Sequence, residues 1–318
     1  MPNIDLHCHL DGSFSIEHIK NTLNLPIGDD ELKSKLTAPA DCQSLAQYLT
    51  CFDIPISCLQ TKEHIKSGIL DLLKQASIDD TKYIEIRFAP SCSVNENQSY
   101  QDIYEACIDG IKTGKELYDV DSNIIVCAMR HHDLSTNITM LKNARSYLGL
   151  GICALDLAGD EAAFGNEQFV DLFKEAKSLG MPYTIHSGEC GSVQNIKIAL
   201  ELGAKRVGHG IALIKDPSLM KDVKKSHLGL ELCPTSNYQT RAISPNDTYP
   251  LRAFLDAGLL ATVNTDNRTV SDTTMTKELK LCKDKLNINK EDFITIYKNS
   301  VEISFADDNI KNNLLKLV

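Results

Sequence analysis

Six short polar clusters, each following an apolar, β-rich run, constrain this chain more than any other feature: His7-Cys-His9-Leu-Asp11, Glu85-Ile-Arg87, Gly159-Asp160-Glu161, His186-Ser-Gly-Glu189, His209 and Asp266-Asn267. A (β/α)8 barrel collects its chemistry at the carboxyl ends of its strands, so reactive residues recur after strands far apart in sequence. Eight candidate strands can be drawn, at Ile4–Leu6, Tyr83–Phe88, Ile124–Met129, Gly151–Leu157, Tyr183–Ile185, Arg206–Gly208, Leu228–Cys233 and Leu259–Asn264. Helix-like stretches lie between them, among them Ile65–Ala76, Tyr100–Leu117, Asn166–Leu179, Val193–Leu202 and Thr248–Ala257, with apolar residues at three- and four-residue steps. The alternation predicts βα units, a mostly parallel sheet and the α/β class, as an eight-stranded (β/α)8 TIM barrel. The stretch from Ser13 to Thr81 exceeds what one helix needs, so extra helices are expected after the first strand, over the barrel mouth.

The 318 residues are expected to form a single barrel domain spanning 1–318, because such barrels run to ~250 residues or more as one unit. The opening Met-Pro-Asn-Ile-Asp lacks the basic and apolar regions of a signal peptide, and no apolar run reaches a membrane span. Eleven cysteines scattered singly, with no CxxC pair, suit a reducing compartment, so a cytoplasmic protein is expected. A formal charge of −10 argues against nucleic acid as a partner. A small neutral or cationic substrate is expected instead.

Residues i and i+2 of a strand project to one face, so His7 and His9 can hold one ion between them. Alone, His-x-His also reads as two satisfied polar residues at a strand end. Together with His186 and Asp266 at two other strand ends, it gives three imidazoles and a carboxylate, a zinc set that leaves a position for water. Glu189 can serve as a general acid or base beside that ion, or can belong to the cap of the helix near Val193. His209, between Gly208 and Gly210, can reach the metal-bound water or be a buried, hydrogen-bonded histidine.

The runs His7–Gly12, Asp156–Glu161, His186–Glu189, Arg206–Gly210, Cys233-Pro-Thr-Ser-Asn237 and Asn264–Asn267 together resemble the adenosine deaminase family, particularly its bacterial forms, and recur in the family's order from residue 3 to about residue 280. Position 187 is Ser where the family often has Ala, and position 267 is Asn where many members have Asp. The resemblance implies one zinc ion per chain on His7, His9, His186 and Asp266, whose hydroxide attacks C6 of a purine. It also implies that Glu189 protonates N1, His209 orients the attacking hydroxide, and Asp266 relays its proton to departing ammonia. The Gly159 N–H would bond N3, Asp11 would accept from the ribose 5′-hydroxyl, Asn267 would face N7, and His9 would also border the substrate.

The resemblance makes Leu45, Tyr48, Leu49 and Phe52 an apolar lid over the nucleoside, although their helical spacing alone reads as core packing. Glu85 and Arg87 are expected to form a supporting charge pair with each other, and Asp160 and Glu161 to support the site. Arg130-His131-His132-Asp133 receives no role. The implied reaction is hydrolytic deamination of adenosine and 2′-deoxyadenosine. Adenine, AMP, an N6-substituted purine, or a catalytically silent purine-binding protein are the alternatives. Asp11 argues against AMP, since a carboxylate repels a phosphate in a poorly screened site. The sequence is silent on oligomeric state.

Overall fold

The structure is a computed structural model that describes residues 1–39, 41–244 and 246–318. Its eight strands are β1 (Asn3–His9), β2 (Thr81–Phe88), β3 (Asp121–Met129), β4 (Ile152–Ala158), β5 (Thr184–Ser187), β6 (Arg206–His209), β7 (Gly229–Leu232) and β8 (Ala261–Val263). They pair in sequence order as two parallel quartets, β1 to β4 and β5 to β8. Two seams join the quartets. Leu155 of β4 bridges to Tyr183, and its N–H donates to the Pro182 carbonyl at 2.9 Å. Just past β8, Asp266 bridges to Cys8 of β1: the Asp266 N–H donates to the His7 carbonyl at 2.8 Å, and the His9 N–H donates to the Asp266 carbonyl at 2.7 Å. The sheet therefore closes into the expected barrel, and all eight expected runs are strands that differ only at their ends.

Strand alternation sorts apolar from charged side chains. Along β2, Ile84, Ile86 and Phe88 join the main apolar core, whereas Glu85 and Arg87 point into the barrel. The expected Glu85–Arg87 pair does not form. Residues two apart on a strand stand about 6.6 Å apart at different levels of the barrel, so each finds a partner across it. Arg206 bonds Glu85 at 2.5 Å and Glu231 at 2.6 Å, while Arg87 bonds Glu231 and Asp156, both at 2.8 Å. All five side chains are fully buried. Burial alone would raise the Glu231 carboxyl, but Arg87, Arg206 and His7 outweigh it and hold it well below the usual carboxylate range.

The amino end of the barrel is stoppered by the chain after helix Lys290–Ile303. Phe305 lies 4.0 Å from the Arg206 guanidinium, its N–H donates to Glu85 at 2.5 Å, and Arg206 donates to the Ile303 carbonyl at 3.1 Å. At the other end, helices Ile16–Leu23, Asp29–Leu36, Leu45–Leu49 and Asp53–Ser57 are the expected insertion, and Lys62–Ile78 is the helix that the first βα unit requires. The insertion docks on the chain just beyond Asn267: the Ala38 N–H donates to the Val270 carbonyl at 2.8 Å, and the Tyr48 hydroxyl lies 2.6 Å from that of Ser271.

Two expected helices are shorter than predicted. Asn166–Leu179 begins with a 3-10 turn at Asn166–Phe169 before the α-helix Val170–Ser178, because Asn166 is committed to side-chain bonds with Ser187 and Asn195. Thr248–Ala257 reduces to Leu251–Asp256, since Pro250 lacks an N–H and sits at the helix N-cap. No helix among the described residues is long and apolar enough to cross a membrane.

Candidate active site

At the carboxyl end of the barrel, four side chains turn ring nitrogens and a carboxylate toward one point. His7 Nδ1 lies 2.8 Å from Glu231, and His186 Nδ1 lies 2.9 Å from Asp156. A carboxylate at Nδ1 accepts a hydrogen bond from the Nδ1–H, which keeps the ring proton there and leaves the Nε2 lone pair free, the usual way of orienting a metal-binding imidazole. The Nε2 atoms then converge: His9 and His186 stand 3.3 Å apart, and Asp266 Oδ1 lies 3.4 Å from His7 Nε2 and 3.5 Å from His9 Nε2. His7 Nε2 is buried without a hydrogen-bond partner. Three imidazoles and a carboxylate, with one acceptor orphaned and two acceptors facing each other, fit a divalent cation. Burial would raise the Asp266 carboxyl, but His7, His209 and His9 outweigh it and hold it below its ordinary value.

The backbone is bent to make this cluster. Asp266 and His209 both adopt φ of +61°, a left-handed conformation that costs a non-glycine residue roughly 1–3 kcal/mol. Each lies just at the end of its strand, where the bend swings its side chain over the barrel mouth.

Glu189 reaches the same point from the loop after β5. Glu161 accepts from the N–H groups of Gly188 at 2.5 Å and Cys190 at 3.0 Å, clamping the chain on both sides of it. The helix that follows, Val193–Leu202, is capped by Ser192, which excludes the capping role for Glu189. Its carboxyl is buried, and burial together with the charges of Asp266 and Glu161 raises it well above the usual carboxylate range. Both influences favour the protonated form, the form a general acid must have. His209 Nε2 lies 3.5 Å away, and burial lowers this imidazole well below its ordinary value, so it is neutral.

These groups border a cavity of about 390 Å³. His9, Asp11, Gly159, His186, Glu189, His209, Asp266 and Asn267 all line it, as do Leu45, Tyr48, Leu49 and Phe52; His7 lies fully buried beside them. Core packing and lining coincide at the lid, because Tyr48 is buried with Cys42, Cys51 and Val270 and still borders the cavity. Asp11 Oδ1 is buried with no partner, and burial pushes its carboxyl up to about 6. Asn267 Oδ1 is likewise unpaired, pressed against Gly12, where an added Cβ would fall 1.8 Å from it. No backbone carbonyl among the described residues accepts from the Gly159 N–H, so that donor remains for a ligand; the Asn267 amide meets the Tyr48 hydroxyl and has a second hydrogen to offer. No Lys or Arg lines the cavity among the described residues.

Several supports lie outside the residues that the sequence pattern singles out. Asp156 and Glu231 orient the metal-facing imidazoles, and Glu231, flanked by Leu230 and Leu232 in a buried strand, was the available signal. The unassigned Arg130-His131-His132-Asp133 run divides its tasks: Arg130 donates to the His186 carbonyl at 2.7 Å and to Asn166 at 2.8 Å, His131 lines the cavity, and Asp133 caps the helix Leu134–Arg145.

Comparison with known proteins gives a consistent result. The family model for adenosine deaminase matches residues 2–318. The chain is 39% identical over 325 residues to an adenosine deaminase of Clostridium botulinum, covering 100% of this chain and 98% of that protein. Among solved structures, an adenine deaminase from Arthrobacter aurescens is similar with a TM-score of 0.89 at 24% identity, covering 99% of this chain and 97% of that one. An N6-mAMP deaminase from Arabidopsis gives a TM-score of 0.87 at 21% identity, with 100% and 97% covered.

Proposed function

The chain belongs to the adenosine deaminase family, and from that premise we propose that it hydrolyses adenosine and 2′-deoxyadenosine to inosine and 2′-deoxyinosine with release of ammonia. The observation that carries the reading is the buried Glu189, its carboxyl raised by burial and by Asp266 and Glu161, set beside the convergent imidazoles in one cavity. His7, His9, His186 and Asp266 would hold one zinc ion. When bound, zinc supplies a Lewis acid that brings a water molecule toward ionisation near neutral pH.

The protein's own groups do the rest. Glu189 gives its proton to purine N1, which draws electron density from C6 and breaks the ring's aromaticity. His209 orients the attacking water; as the C6–O bond forms and the C6–N bond breaks, Asp266 passes one of that water's protons to the departing amino nitrogen and the other returns to Glu189, so ammonia leaves, C6 becomes a carbonyl and the acid is restored. Asn267 donates from its amide to N7 and Gly159 from its N–H to N3, so the purine is fixed with C6 toward the imidazole cluster. Asp11 accepts from the ribose 5′-hydroxyl, and His9 borders the sugar. Tyr48, Leu49 and Phe52 exclude water from above, which strengthens every charge inside.

The absence of cationic lining residues and the presence of Asp11, Asp53 and Asp160 oppose a 5′-phosphate. We take residues 1–318 as one catalytic unit, since the ligand set draws on β1 and on the chain beyond β8, and place it in the cytoplasm on the strength of its eleven free thiols. Ammonia release measured on adenosine, adenine, AMP and N6-methyladenosine tests the substrate, with metal content determined on the same sample. Adenosine should give the highest kcat/KM with one zinc per chain. A higher value for adenine or AMP would overturn the assignment.

A further inference from the structure

We propose that Asn237 and Tyr249 are positioning residues that hold His209 as the neutral tautomer protonated on Nε2. A neutral imidazole carries one proton, and the hydrogen bond at one nitrogen decides which nitrogen bears it. Asn237 Nδ2 lies 3.0 Å from His209 Nδ1, and the Tyr249 hydroxyl lies 2.8 Å from Asn237 Oδ1. The three side chains are 0% to 1% exposed, so water cannot substitute for any of these bonds.

The direction of the chain follows from what each group can give. An amide can present either end to the imidazole, and the imidazole alone would accept either. Tyr249 decides between them. Its hydroxyl has no other protein partner among the described residues, so turning the amide over would strand the phenolic hydrogen in a buried site with no acceptor. With Asn237 Oδ1 taking that hydrogen, Nδ2 must face His209 and donate to Nδ1. Nδ1 is then an acceptor, and the single proton resides on Nε2.

The local fold is built to keep this arrangement. Asn237 rides on the short helix Pro234–Gln239 that follows β7, and the buried Glu278 accepts from the Thr235 N–H at its start at 3.1 Å. This gives the Cys233-Pro-Thr-Ser-Asn237 run a task that its residue types did not disclose. The consequence for chemistry rests on the role given to His209 above: its Nε2, 3.5 Å from Glu189, presents a hydrogen to the cavity rather than a lone pair. His209 therefore stabilises negative charge growing on the attacking oxygen, and does not remove the water's proton.

The test is ¹⁵N NMR of the zinc-loaded protein labelled in its histidine rings, with His209 identified by its loss in His209→Gln. The parent should show a pyridine-type Nδ1 and a protonated Nε2 at this residue; a proton on Nδ1 would overturn the proposal. Asn237→Asp keeps the shape and, read at a pH where the new carboxyl is ionised, offers only acceptors, so a proton should appear on Nδ1. The wrong tautomer costs on the order of 10⁴-fold in serine hydrolases, where the histidine is a base. For a hydrogen-bond donor, kcat should fall by ~10²–10³-fold with little change in KM. An unchanged tautomer and kcat in Asn237→Asp would refute the positioning role.

Tyr249→Phe frees the amide to turn, so both tautomers should appear and kcat should fall by less; a single unaltered tautomer there would show that Tyr249 does not set the direction. The parent spectrum alone decides the tautomer, whatever the stability of the variants. His209→Ala with parental kcat would refute the role of His209 while leaving the tautomer result intact.

Discussion

The two ends of the barrel are made from the same eight strands and treat polar groups in opposite ways. At the amino end, Glu85, Arg206 and Glu231 satisfy one another at 2.5 and 2.6 Å, and Phe305 covers them. At the carboxyl end, His7 Nε2, Asp11 Oδ1 and Asn267 Oδ1 are buried and unpaired, and Asp266 and His209 hold left-handed backbone. Charges are equally buried in both places. The difference is whether the partner belongs to the protein or must arrive from outside. A closed ion network rigidifies without adding much net stability, because desolvation offsets the attraction, whereas orphaned groups keep their interaction energy for a ligand. Arg87 and Glu231 link the two regimes: the closed network ends on the carboxylates that aim His7 and His186.

Breaking each end should therefore give different symptoms. The largest effect is expected at the open end, where Glu189→Gln removes a deliverable proton and little else: kcat should fall by ~10²–10⁴-fold with melting temperature and zinc content unchanged. Because the Glu189 pKa is raised, the active protonated form is lost as pH climbs through that pKa, so the parent's alkaline limb should be missing from the variant's pH–rate profile. A kcat near the parent's would remove Glu189 from the mechanism.

At the closed end, Arg206→Met strands two buried carboxylates and should lower the unfolding free energy by about 3–5 kcal/mol in denaturant titrations, with a far smaller change in kcat of the folded enzyme. An unaltered unfolding midpoint would erase the distinction between the ends.

The smallest effect concerns a single donor, the Asn267 amide that borders the cavity. Asn267→Asp donates to N7 only while protonated, so its kcat/KM should match the parent at low pH and decline as pH rises through the new carboxyl's pKa, whereas Asn267→Leu should lose more than ~1 kcal/mol of transition-state binding at every pH. Superimposable profiles for the Asp variant and the parent would show that residue 267 does not contact N7.

Much of the open end was legible in the sequence, because hydrolytic metal chemistry admits few residue types, and His7, His9, His186, Glu189 and Asp266 occur where strands end. The closed end was not. Its pairs join β2, β4, β6 and β7, and nothing local says that Glu85 faces Arg206 rather than Arg87; adjacency in sequence suggested the pair that strand geometry forbids. Asn237 escaped for a related reason: its partners His209 and Tyr249 are settled by the placement of a short helix, not by spacing. The stopper around Phe305 lies beyond the last recognisable run, in a segment whose apolar residues have no motif to mark them.

The β8–β1 seam has a consequence in time. The hydrogen bond from the Leu6 N–H to Asn264 Oδ1 spans 258 residues of chain, and the seam at Cys8 and Asp266 spans a comparable distance. Contacts of such long sequence separation form late, since the whole loop's entropy is lost at once. On a ribosome adding ~5–20 residues per second, β1 waits roughly 10–50 s for its neighbour. During that interval the proposed ligands His7 and His9 lack their partners and have an open strand edge beside them. On the ligand set proposed above, no amino-terminal fragment ending before residue 266 can assemble all four ligands, so metal capture would report that translation has passed the last strand and that the barrel has shut.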